Sequence, residues 1–194
     1  MQGCTKAEVH ISENENIELV AKKLAIDKEF NVFIDNLNLF SSFINDNFDK
    51  NEMQDLKSKI ESIRIANLKI DDQYNEILKA TKFKNKKDLV NIFEKISSSH
   101  SNLFTNKIHG TLTKEIFERA VILKQKSELV NNQYLETRGV GGYLLCSAAV
   151  SFEGALLLAA CEVVTGGVGT PFCIAGASLW AADGIANCRK EHLE

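Results

Sequence analysis

Apolar residues recur at intervals of three and four along most of this chain, which is the spacing of an amphipathic helix. Successive stripes begin at Ile17, Phe33, Met53, Tyr74, Leu89 and Ile116. No segment alternates with the two-residue period of a half-buried strand, and the single proline leaves long stretches free to form helices. We therefore predict an all-α fold, with a helical bundle of about five or six helices and a distinct C-terminal element.

Polar and glycine-rich positions predict where these helices begin and end. Ser12–Glu15 fits a capping box at the start of the first helix. Asp71 or Asp72 is suited to cap the fourth helix, and Ser97–Ser101 has the composition of a loop. The helix that carries Ile116 is predicted to be the longest, and it stops at Gly139–Gly142, the clearest boundary in the chain.

Four of the five cysteines follow this boundary and are arranged symmetrically about Gly167, which lies in a turn-forming run. Cys146 and Cys188 are equally distant from Gly167, and so are Cys161 and Cys173. The arrangement predicts an antiparallel helical hairpin joined by two nested disulfides, Cys146–Cys188 and Cys161–Cys173. Pairing within one helix would join points about 22 Å apart along its axis, so it is excluded. No closely spaced cysteine or histidine pair accompanies them, and we predict no metal site.

Alanine and glycine fill the segments between these cysteines, and they allow the close approach that a disulfide between helices requires. The same symmetry predicts Gly154 opposite Trp180 and Val150 opposite Gly184, so that small residues face large ones. Glu153 stands out on this seam. It either takes part in an interior hydrogen bond or small pocket, or lies at the surface edge, and we favour the surface.

These patterns divide the chain into four parts. Residues 1–16 are predicted to be a polar tether and residues 17–138 the helical bundle. Residues 139–192 form the disulfide-linked hydrophobic hairpin packed on that bundle, and residues 193–194 resemble a cloning scar.

The hairpin is also a candidate for membrane insertion. Tyr143–Val164 is apolar and long enough to span a bilayer, whereas Phe172–Ala186 is shorter. A hydrophobic hairpin near the end of a helical bundle resembles the architecture of pore-forming colicins, without a shared motif. Acidic residues interrupt the apolar runs, at Glu153, Glu162 and Asp183. Because charges are costly in a bilayer, we favour a hairpin buried by the bundle over one at 143–187 that inserts.

Gly141–Gly142 also resembles the double-glycine site at which peptide bacteriocins are released from their leaders. The usual leader carries Glu-Leu a few residues before the glycines, whereas Glu128–Leu129 lies much further upstream. We therefore favour a flexible linker at this position.

A short N-terminal motif bears on location. Gly3–Lys6, a small residue followed by Cys4 and polar residues, resembles the cleavage site of bacterial lipoproteins. The resemblance implies that Cys4 carries a lipid and that the protein lies at the cell envelope. The predicted disulfides independently favour an oxidising compartment, and therefore export.

Charge and residue chemistry narrow the function classes. The net charge of −3 is spread without a basic patch, which argues against nucleic acid as a partner. The histidines are scattered through polar stretches, at His10, His100, His109 and His192. Ser97–Ser101 surrounds His100, but neighbours in one polar segment rarely form a nucleophile and base pair. We predict no catalytic residue and no cofactor.

The sequence therefore predicts an exported, non-enzymatic helical protein with a binding or structural role at the cell envelope. Its partner would be a protein, or a membrane reached through the Cys4 lipid or the 143–187 hairpin. The alternative is a membrane-active protein, pore-forming or bacteriocin-like, whose C-terminal hairpin inserts.

Overall fold

A computed structural model describes residues 13–66, 68–105, 113–131, 139–165 and 170–193. Within these ranges the chain forms eight α-helices and no strand, so the all-α prediction is confirmed. The helices are α1 Glu13–Ala25, α2 Lys28–Asn47, α3 Lys50–Ile65, α4 Ile70–Thr81, α5 Lys86–Thr105, α6 Lys114–Asn131, α7 Val140–Thr165 and α8 Pro171–His192.

Side-chain caps fix the starts of α2 and α3. The Asp27 carboxylate accepts a hydrogen bond of 2.9 Å from the backbone N–H of Phe30. Asp49 caps α3, and Glu52 reaches back to the Asp49 backbone N–H to complete a capping box. Each cap satisfies a backbone donor that lacks a partner in the first turn of a helix, and Glu52 also places negative charge where the helix dipole favours it.

The predicted cap of the fourth helix is wrong. Lys69 is the N-cap of α4, and it makes no side-chain capping bond. Asp71 and Asp72 lie inside the first turn of α4 instead. In that position the two carboxylates favour the positive end of the helix dipole without accepting a capping bond from the backbone.

The loop predicted at Ser97–Ser101 is also wrong, because α5 runs through it without a break. The apolar stripe of α5 continues across this segment, and Ser99, His100 and Leu103 are all buried. The Ser99 hydroxyl donates to the Lys95 backbone carbonyl within the same helix. A serine that is satisfied in this way no longer competes with the helical backbone, and burial of the stripe then favours the helix.

The boundary at Gly139–Gly142 is real, but its glycines are not a linker. Gly139 precedes α7 with φ of 104°, and Gly141 and Gly142 belong to the first turn of α7. A Cβ atom on Gly139 would overlap the His192 backbone carbonyl, and one on Gly142 would lie 2.6 Å from His192 Nδ1. Close contact with the end of α8 therefore explains two of these glycines.

The helix before this boundary was predicted to be the longest, and this too is wrong. α7 has 26 residues, whereas α6 has 18. Residues 132–138, which include the end of the predicted stripe, lie outside the described ranges.

α8 occupies the centre of the bundle, where it contacts α2, α3, α4, α5 and α7. Two side chains of α2 hydrogen-bond to its backbone. Ser41 Oγ donates to the Ser178 carbonyl at 3.4 Å, and Asn45 Nδ2 donates to the Ala182 carbonyl at 3.0 Å. Since both donors and both acceptors advance together along the chain, α2 and α8 run parallel. One hydrophobic cluster continues from α1 through α8.

α7 covers one side of α8, and it also packs against α6, which in turn contacts α1. Gly184 of α8 faces the side chain of Val150, as predicted. Gly154 of α7 faces Ala181 and the Ala177 carbonyl rather than the predicted Trp180, so the opposite residue differs by one position. The missing side chain at Gly184 makes room for Val150, whereas an added Cβ atom at Gly154 would lie 3.5 Å from Ala181 Cβ, an ordinary contact distance.

We expect Gly184→Ala to lower the free energy of unfolding by about 1–2 kcal/mol, because overpacking outweighs the helix propensity that alanine gains. A Cβ atom at Gly184 would lie 2.7 Å from Val150 Cγ1. Gly176→Ala is the matched control on the same helix, since its Cβ would meet no atom within 4 Å. It should stabilise the protein by about 0.5–1 kcal/mol. Urea unfolding of the two oxidised variants measures both changes in stability. Equal stabilities would contradict the close contact between Gly184 and Val150.

Candidate functional site

Two disulfides join α7 to α8. Cys146–Cys188 has a Cα–Cα distance of 5.6 Å, and Cys161–Cys173 has one of 5.7 Å. Both distances lie within the usual range for a disulfide, about 4.4–6.8 Å. This is the nested pairing predicted from the cysteine spacing. Because the start of α7 is tied to the end of α8, and the end of α7 to the start of α8, the two helices are antiparallel. The turn predicted around Gly167 lies outside the described residues.

The disulfides are anchored on the α8 side. Cys173 and Cys188 are buried, whereas Cys146 and Cys161 on α7 are partly exposed. Thr170, just before α8, donates from its hydroxyl to Cys173 Sγ at 2.7 Å. The buried ends of both links therefore belong to the central helix, and α7 is attached to it from outside.

A salt bridge further fixes α8 in the bundle. Lys57 Nζ of α3 lies 2.7 Å from Asp183 Oδ2 of α8, and both side chains are about a third exposed. Asp183 is one of the acidic residues that interrupt the apolar runs. Its charge is therefore paired within the folded protein, although a pair this exposed contributes little to stability, typically below about 1 kcal/mol.

The outward side of α7 is unusually apolar. Leu145 is 63% exposed, Leu156 46% and Leu157 45%. Among the described residues one helix, at Val140–Cys161, is long and apolar enough to cross a membrane. Only 44% of its most apolar stretch is buried in the folded protein. We call the exposed side chains of Leu145, Leu156 and Leu157 the α7 outer face.

Glu153 lies on the surface near the middle of this face, and its side chain is exposed. The interior interpretation is therefore wrong, and the favoured surface interpretation is correct. Helical geometry explains this position, because Glu153 lies on the same side of α7 as Leu145 and Leu156, whereas Gly154 faces α8. The carboxylate is the only charge between Val140 and Cys161.

His100 is the one buried histidine among the described residues, with 1% of its surface exposed. Its ring packs against Phe33 of α2, with 5.6 Å between ring centroids. Nε2 lies 3.2 Å from the backbone carbonyl of Ala155 in α7. A carbonyl only accepts hydrogen bonds, so Nε2 carries the proton and donates it. His100 thus links α5 to α7 beneath the outer face.

Burial governs the chemistry of this imidazole. Desolvation lowers the pKa of His100 to about 4, and the hydrogen bond to the Ala155 carbonyl opposes this only partly. The ring is therefore neutral at pH 7. The neighbouring Ser99 hydroxyl donates to backbone carbonyls of α5 rather than to the ring. The Ser97–Ser101 segment therefore packs in the core and has no catalytic arrangement. The sequence signal for the burial of His100 was its place in the apolar stripe of α5, which consists of Phe93, Ile96, His100 and Leu103.

The remaining candidates are separate from this region. Cys4, His10 and His109 lie outside the described residues, and so do residues 1–12 of the predicted tether, whereas its residues 13–16 belong to α1, so the helical part begins earlier than predicted. His192 ends α8 and packs against Gly142. In the parts of the chain that the structure describes, no three His, Cys, Asp or Glu side chains form a group able to hold a metal ion.

The chain matches no protein-family model, no curated protein and no solved structure.

We expect His100 to make the folded protein sensitive to acid. Its pKa is about 4 in the folded state against 6.5 for an unperturbed histidine, so the unfolded chain binds the extra proton between these values. The stability that neutral His100 supports is complete above pH 6.5 and is lost as the pH falls toward 4. The loss should reach about 2–3 kcal/mol at pH 4.5.

Urea unfolding at pH 8 and pH 4.5 measures this loss. His100→Phe removes the titrating group, and the difference between the two pH values should shrink by about 2–3 kcal/mol. Ser99→Ala is the control, because it perturbs the same turn of α5 and keeps the imidazole. An unchanged pH dependence in His100→Phe would show that other groups cause the acid sensitivity.

Proposed function

We propose that the protein is exported and serves, without catalysis, as a binding or structural protein at the cell envelope or outside the cell. The observation that carries this proposal is the pair of disulfides between α7 and α8. Reducing systems of the cytosol keep cysteine thiols reduced, so structural disulfides are typical of exported proteins.

The position of the disulfides supports a structural role for them. The inner link spans a sequence separation of 12 and should stabilise the fold by on the order of 3 kcal/mol. The outer link spans 42 residues, but the inner one already restrains the unfolded chain, so its additional effect is smaller. Their buried ends also resist the exchange that a redox-active pair requires.

The proposed binding role rests on the α7 outer face. Exposed leucines on one side of a helix are typical of surfaces that another molecule covers. The absence of a basic patch argues against nucleic acid as that molecule. A catalytic role for the serine-rich segment would require His100 to act as a base. His100 is instead buried and donates a hydrogen bond to a backbone carbonyl.

Thiol trapping in the cells that naturally produce the protein tests the proposed export. After acid quenching, a maleimide reagent should leave all four C-terminal cysteines unlabelled, because they are paired. Protein that is first reduced in denaturant provides the fully labelled control. In intact mass, each link should remove the mass of two hydrogens. Labelling of these cysteines without prior reduction would contradict the proposal.

The lipid anchor is a separate part of the proposal. It rests on the resemblance of Gly3–Lys6 to a lipoprotein cleavage site, since Cys4 lies outside the described residues. In the native cells Cys4→Ser should move the protein from the membrane fraction to the soluble fraction, with the disulfides intact. Thr5→Ser is the control for a change in the same segment. If Cys4→Ser stays in the membrane fraction, another part of the chain holds it there.

A membrane-active hairpin is the second candidate, and the apolar, partly exposed helix Val140–Cys161 favours it. Insertion would require α8 to leave the centre of the bundle. The Asn45 and Lys57 contacts to α8 oppose this, and so do the disulfides if they limit separation of the helices.

Release of a fluorescent dye from liposomes distinguishes the two candidates. The membrane-active candidate predicts leakage that increases with reductant or acid, and Leu156→Asp on the outer face should reduce it. Leu156→Ala is the milder control at the same position. No leakage under any of these conditions would reject this candidate and leave the binding protein.

A further inference from the structure

A groove runs between the last turns of α3 and the last turns of α4, and neither the disulfides nor the α7 outer face explains it. Its volume is about 480 Å³, which is within the range of small-molecule sites, about 300–1,000 Å³. It is lined by Lys59, Ser62, Ile63, Ala66, Leu68, Glu76, Lys79 and Ala80.

The floor of the groove is apolar. Ile63 on the inner side of α3 is 6% exposed, and Leu68 and Ala80 are partly buried against the core. Alanine at Ala66 and Ala80 has too short a side chain to fill the space between the two helices. The result is a groove with an apolar floor beside the main core, suited to a flexible hydrocarbon chain.

The rim of the groove carries positive charge. Lys79 Nζ lies 2.6 Å from Glu76 Oε1, so these two charges offset each other. Lys59, on the α3 side, forms no ion pair with any residue that the structure describes. The lining as a whole therefore has one excess positive charge, placed beside an apolar floor.

We propose that this groove binds a single-chain anionic amphiphile, such as a fatty acid. The hydrocarbon chain lies along Ile63, Leu68 and Ala80, and the carboxylate lies beside Lys59. Charge complementarity selects an anionic head group, and the groove volume of about 480 Å³ suits a single short chain. This goes beyond the proposed function, because it depends on neither export nor the α7 outer face.

Titration of the purified, oxidised protein with decanoate tests the proposal, with the backbone amide signals followed by NMR below the concentration at which micelles form. Binding should saturate, and the largest shifts should occur around Ile63, Leu68 and Ala80. Octanoate has two fewer methylene groups and should bind roughly tenfold more weakly. Decyltrimethylammonium carries the opposite charge and should bind more weakly than decanoate.

Variants separate the two parts of the site. Lys59→Glu should weaken decanoate binding by about tenfold, whereas Lys50→Glu makes the same charge change at the start of α3 and should change it less than about twofold. Ala66→Trp fills the groove from an exposed position and should abolish binding. Ala80→Trp provides a second block, and circular dichroism checks that each variant remains folded.

Three results would overturn the proposal. Decanoate that fails to saturate would show that the groove is not a binding site. Shifts centred on Leu145, Leu156 and Leu157 would place the amphiphile on the α7 outer face. Equal affinity for decyltrimethylammonium, or equal effects of Lys59→Glu and Lys50→Glu, would remove the role of charge. None of these results bears on whether the protein is exported.

Discussion

The close packing of α7 on α8 is the constraint on which the rest of this structure depends. Disulfides hold both ends, and between them Gly154 and Gly184 provide the room for close contact with Ala181 and Val150. A Cβ atom at Gly184 would lie 2.7 Å from Val150 Cγ1, so a larger residue there would push the two helices apart. The close contact at Gly184 and the disulfides therefore hold the same pair of helices together.

This pairing gives two helices of similar composition very different surroundings. α8 lies among five other helices, where side chains of α2 bind its backbone carbonyls and Lys57 of α3 pairs with Asp183. α7 is apolar on nearly every side, with Glu153 as an exception, but it has packing partners on only part of its surface. A helix of this kind is normally either buried or in a membrane. Its partial exposure is the reason that a binding surface and membrane activity are the two functions worth testing.

His100 shows how a polar residue in the core couples distant parts of the chain. The ring occupies a position in the apolar stripe of α5, and it reaches the α7 backbone at Ala155. Nε2 can donate this hydrogen bond in either protonation state, but desolvation disfavours the charged ring and keeps His100 neutral. Protonation of His100 at low pH would therefore place a poorly solvated charge at the contact between the bundle and α7.

Sequence reasoning succeeded where a constraint is local or geometrically strict, and failed where packing decides. The cysteine spacing predicts its pairing because the rise of a helix is constant and a disulfide tolerates a narrow range of distances. Ser97–Ser101 has the composition of a loop, yet burial of the neighbouring apolar side chains keeps it helical. The Gly139–Gly142 segment reads as a linker because nothing nearby in sequence reveals that His192 packs against it.

By itself, therefore, the sequence determined the helical class, the nested disulfides and the antiparallel orientation of α7 and α8. Only the tertiary structure decided that α8 is central, that α7 is partly exposed and that His100 is buried. The first group depends on helix geometry and the spacing of residues within one segment. The second depends on contacts such as Asn45 with Ala182 and Lys57 with Asp183, which join residues far apart in the chain. Because α7 is apolar on nearly every side, Glu153 is the one signal in its pattern for the exposed side, and the pattern does not show how much of the helix the bundle covers.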